Sequence, residues 1–70
     1  MPRYFFHLRG SGSVVHDDEG EEFPNQEAAR QEAIAVARDL ARNRNVTSDE
    51  RLVVTDANDN VIHEESLVRQ

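Results

Sequence analysis

Three histidines, His7, His16 and His63, are the residues of this chain whose type best suits chemistry. Neutral imidazole is a common ligand for zinc and nickel, and it titrates near neutral pH. Convergence of the three would make an open metal site from His7, His16 and His63. The chain has no cysteine, which excludes thiolate ligands, a cysteine nucleophile and disulfide staples. Serines accompany the histidines without an elbow motif, and 70 residues can hardly enclose a pocket. Gly10-Ser11-Gly12 is too short for a phosphate loop and lacks a following helix. Asp56-Ala57-Asn58-Asp59-Asn60 copies the first five positions of a calcium loop. The copy fails at Val61, where glycine is needed, and at Leu67, where a bidentate glutamate belongs. We therefore expect no enzyme and no cofactor.

Whether the histidines converge depends on the elements that carry them. Pro2 to Arg9, PRYFFHLR, packs Tyr4, Phe5 and Phe6 into consecutive positions. Side chains alternate across a strand, so Tyr4, Phe6 and Leu8 share one face, and Phe5 and His7 the other. Large apolar groups on both faces predict a central strand. Two glycines then supply a tight hairpin, and Ser13 to Asp17 reads as a short β-branched second strand. A two-residue loop at Gly10-Ser11 would set His7 opposite Val14, Phe5 opposite His16 and Phe6 opposite Val15. Asp17 to Glu22, DDEGEE, reads as a solvated acidic turn.

Asn25 is a good N-cap for a helix from about Gln26 to Asn43, with Glu27 opposing the dipole in the first turn. At 100° per residue, Ala29, Ala33, Val36, Ala37 and Leu40 form one stripe, flanked by Ile34 and Ala41. Glu27, Gln31, Arg38 and Arg42 occupy the opposite side. Thr47 and Glu50 have capping-box spacing, which predicts at most a single turn. Arg51 to Thr55 and Val61 to Glu65 read as two more strands around Asn- and Asp-rich turn chemistry. A three-residue loop with a bulge would pair Val54 with Ile62 and Val53 with His63. The tail Ser66 to Gln70 reads as frayed, with Leu67 and Val68 able to dock.

The pattern predicts one α+β domain over residues 1–70, a two-layer β-β-α-β-β arrangement. One helix packs on one face of a four-stranded, largely antiparallel sheet. The expected core is Tyr4, Phe6, Leu8, Val15, Leu52, Val54 and Ile62 against the helix stripe, with Phe23 as a plug. The face away from the helix then carries Phe5, His7, Val14, His16, Val53, Val61 and His63. Phe5, Val14, Val53 and Val61 form an apolar patch there, and such patches mark interfaces.

The order of the opening PRYFFHLR, the Asp18-Glu19-Gly20 turn, the alanine-rich helix and the Val54-Thr55-Asp56 turn resembles a family of short proteins. These come from rhizobia and related proteobacteria and are grouped as a domain of unknown function. The chain departs from that family at Asp59, where glycine is expected. The resemblance implies a fold and a bacterial origin, and no catalytic residues. A looser likeness in layout is to the small antitoxin domains of toxin–antitoxin pairs.

Fourteen acidic residues against eight arginines leave a net charge of −6, which disfavours nucleic acid as a partner. No apolar run approaches the ~20 residues that span a bilayer, and no leader pattern opens the chain. The expected location is the cytoplasm. The expected function is a non-enzymatic protein-interaction module, self-associating as a dimer or binding a protein partner through the helix-free face. The alternatives are an antitoxin-like regulator of a small toxin and a histidine-based metal-binding protein.

Overall fold

The computed structural model describes residues 1–10, 12–43 and 49–67. In chain order it contains β1 (Arg3–Gly10), β2 (Ser13–Val15), β3 (Glu21–Glu22), α1 (Gln26–Asn43), β4 (Arg51–Thr55) and β5 (Val61–Ser66). The fold is α+β, with one helix on a five-stranded antiparallel sheet. The order is β2-β1-β4-β5, and β3 also pairs with β1. The extra strand comes from the acidic run, whose last two residues pair Glu21 with Tyr4 and Glu22 with Arg3. β2 is correspondingly shorter than the sequence suggests and ends at Val15.

β1 is central, with β4 on one side over Phe5–Arg9. On the other side, β2 pairs with Leu8–Gly10 and β3 with Arg3–Tyr4. The first hairpin closes at Gly10–Ser13, so Leu8 faces Val15 and Arg9 faces Val14. This is two residues away from the pairing set by a Gly10-Ser11 loop. A shift of two preserves the faces, because the side-chain period is two. Gly10 is required at the strand end. Its φ is +138°, and a Cβ there would lie 2.6 Å from the Cα of Glu50.

The helix forms where composition favours it. The backbone N–H of Ala28 donates to Asn25 Oδ1 at 2.8 Å, satisfying one orphan donor of the first turn. Ala29, Ala33 and Ala37 are buried, whereas Val36 and Leu40 are only half-buried. The small alanines let the backbone lie close over β4 and β5. The core is Tyr4, Ala29, Ala33, Leu52 and Val54, with Phe6, Phe23, Val36 and Ile62 packed against it. Phe23 plugs the end as expected, its ring centroid 6.1 Å from Tyr4 and 5.8 Å from Phe6. Val15 is not core: it is 61% exposed, because β2 lies beyond the edge of the helix.

The second hairpin corrects a pairing. Thr55 pairs with Val61, but Val54 pairs with His63 and Val53 with Glu64. Ile62 is an extra residue, a bulge between two regular stretches. The Val54–Ile62 and Val53–His63 pairs therefore do not form, and every β5 side chain beyond the bulge changes face. The tail docks: Leu67 is fully buried and its N–H donates to Glu50 O at 3.1 Å. Thr47 of the expected capping box lies outside the described residues, as do residues 68–70.

Candidate functional site: a concavity on the helix-free sheet face

Alternation along β1 sends Arg3, Phe5, His7 and Arg9 to the face away from α1. β4 contributes Arg51, Val53 and Thr55 to the same face, opposite Arg9, His7 and Phe5 respectively. Part of this face, with residues of β2, β5 and the flanking turns, makes a concavity of about 230 Å³, lined by His7, Arg9, Val14, His16, Val53, Thr55, Asp59 and Val61. Val14 and Val61 are exposed on its two sides, whereas Val53 is buried at its floor.

His7 is fixed on both ring nitrogens. The backbone N–H of Asp17 donates to Nδ1 at 3.1 Å, and Nε2 lies 3.0 Å from Thr55 Oγ1. An Nδ1 that accepts leaves the hydrogen of the neutral ring on Nε2, which donates to the threonine. The His7 ring stacks near-parallel on Phe5 and meets His16 edge-on, with centroids 6.5 and 5.3 Å apart.

Asp17 holds this arrangement. Between β2 and β3 the edge strand leaves β1, and the N–H of Phe6 faces the gap. Asp17 Oδ2 accepts that N–H at 3.1 Å, in place of a strand carbonyl. Its Oδ1 accepts the N–H groups of Glu19 and Gly20 at 3.1 and 3.0 Å, forming an Asx turn. Partial burial would raise the carboxyl pKa, but the N–H donors of Gly20, Phe6 and Glu19, with His7 nearby, hold it below its usual value. Gly20, at φ +70°, lies against the edge of the Phe5 ring.

The expected site residues are thus only partly united. His7, Val14, His16, Val53 and Val61 gather in one concavity, and Phe5 lies beside it, stacked on His7. His63 does not join them. The β5 bulge sets it opposite Val54 on the helix side, where Nε2 lies 3.0 Å from Glu65 Oε1. Among the described residues, no group of three His, Asp or Glu side chains is placed to hold a metal. The patch is also less bare than alternation implied, since Phe5 is half-buried and Val53 is 2% exposed.

Three lining residues were absent from the expected set: Arg9, Thr55 and Asp59. Strict alternation from His7 and Val53 already carried the signal for Arg9 and Thr55. The calcium-like loop also has a structural explanation. Asp56 Oδ1 accepts the N–H groups of Asn58 and Asn60, each at 2.9 Å. These bonds hold its carboxyl pKa below the usual value. Asp59 takes the left-handed position at φ 67°, which aspartate tolerates better than most residues.

Comparison with known families gives a match over residues 3–68 to "Domain of unknown function (DUF6894)". The chain belongs to the DUF6894 family. Neither a search of curated proteins nor one of solved structures gives a match. Among the described residues of this DUF6894 chain, no helix is long and apolar enough to cross a membrane.

Proposed function

We propose that this DUF6894 domain is a non-enzymatic protein-interaction module that works through its helix-free sheet face, self-associating or binding a protein partner. The observation that carries the reading is the concavity, with Val14 42% and Val61 55% exposed on either side of it. Apolar side chains on the rim of a shallow, polar-lined face suit a protein surface better than a small substrate. The non-enzymatic part rests on His7, whose two nitrogens are already engaged by Asp17 and Thr55. A ring so engaged is a poor general base.

The test is the double variant Val14→Asp/Val61→Asp, which alters exposed positions and spares the core. Light scattering should show a smaller solution mass, or capture from lysate should lose a partner, with the circular dichroism spectrum unchanged. Unchanged mass together with unchanged capture overturns the reading.

A further inference from the structure

The chain carries a net charge of −6, and its helix-free face carries charges of both signs. Arg3, Arg9 and Arg51 lie there with Glu22, Asp59 and Glu64. Two of these pairs are closed within the chain: Arg3 with Glu22 at 3.7 Å and Arg51 with Glu64 at 3.0 Å. Among the described residues, the Arg9 guanidinium and the Asp59 carboxylate form no ion pair. Both line the concavity. Arg9 is level with Arg51 at the start of β4, and Asp59 stands in the turn beyond Thr55 at its end. Four residues of strand separate these levels, roughly 13 Å at the usual rise.

A face with one free cation at one end and one free anion at the other is complementary to itself, but only when reversed. We propose that the occupant of this face is a second copy of the chain, packed face to face with its strands running the opposite way. The two-fold axis then lies in the plane of contact, perpendicular to the strands. Arg9 of each copy meets the Asp59 end of the other, giving two equivalent contacts as an isologous interface requires. Val14 and Val61 are enclosed between the sheets. The other face-to-face alignment, with the axis along the strands, brings Arg9 toward Arg9 and Asp59 toward Asp59 and is opposed by charge. This inference rests on the interaction reading above and specifies its partner and alignment.

Sedimentation equilibrium of two charge-reversed variants tests it. Arg9→Asp alone sets acid against acid at both contacts, and Asp59→Lys alone sets base against base. Each should self-associate at least about tenfold more weakly than the wild-type chain. Mixed in equal amounts they restore opposite charges at both contacts, so the mixture should associate about as tightly as the wild type. Asp59 occupies a left-handed turn position. Asp59→Asn keeps that conformation accessible and should weaken association without a partner to rescue it. A mixture no tighter than either variant alone overturns the alignment. If Val14→Asp/Val61→Asp still weakens the wild-type dimer in that case, the face remains the interface and only the alignment fails. A wild-type chain that is monomeric up to about 1 mM overturns the second copy as occupant; capture of a partner that the double variant loses would then leave the interaction reading standing alone.

Discussion

At the residue scale, Asp17 has the largest consequences for so exposed a stretch of chain. It accepts three backbone N–H groups and offers its own N–H to His7, so four positions depend on it. Asp17→Ala should cost about 1–3 kcal/mol, read by urea denaturation, because charge-assisted bonds to partly buried donors are lost. The pH dependence has a definite sign. A carboxylate whose folded pKa lies below its unfolded value adds stability that is fully present above the unfolded value. That stability disappears as pH falls through the folded pKa. The Asp17→Asn variant should therefore show a flatter loss of stability below about pH 4 than the wild type, measured by thermal unfolding across an acid series. His7 makes a separate prediction. With both nitrogens engaged and His63 on the other face, native mass spectrometry after zinc addition should show no stoichiometric metal retained.

At the scale of elements, small backbone features decide which face a residue joins. The Ile62 bulge takes His63 away from His7 and His16. Gly10 lets the end of β1 pass against the backbone of Glu50, and Gly10→Ala should lower stability by about 1–3 kcal/mol through strain and collision, read by chemical denaturation. Leu67 seals the bottom of the core, so Leu67→Ala should cost about 2–5 kcal/mol in the same assay. Leu40 is half-buried, and its truncation should cost less than that of Leu67.

These same features mark how far the sequence could be read. The helix bounds, the N-cap at Asn25 and the two faces of β1 follow from periodicity and capping, both of which are local. The bulge at Ile62 is not local in that sense, because Val61-Ile62-His63 reads as an unbroken strand in either register. β3 was hidden for a related reason: Glu21 and Glu22 have poor intrinsic strand preference and pair only because Asp17 returns the chain to β1. The site was legible in its β1 and β2 members, whose faces survive a shift of two. It was not legible at His63, whose face depends on one inserted residue.

At the scale of the whole molecule, the two sheet faces differ in burial. One is sealed by α1, Phe23 and Leu67. The other leaves Val14 and Val61 exposed around a charged concavity. Phe5 is half-buried beside Gly20, so Phe5→Asp should lower the unfolding midpoint and is a poor probe of association. Val14→Asp should leave the unfolding free energy of the monomeric chain within about 0.5 kcal/mol of wild type in the same denaturation experiment, as surface substitutions usually do.

The gap that Asp17 fills also bears on solubility. Stacked β-aggregates grow by adding strands to a long, regular edge. On this side of the sheet the rim is cut into a three-residue piece and a two-residue piece, with a carboxylate-rich loop protruding between them. Neither piece is long enough to template a growing ladder, and the loop repels an incoming chain of the same kind. The acidic run thus protects this rim of the sheet against edge-to-edge growth.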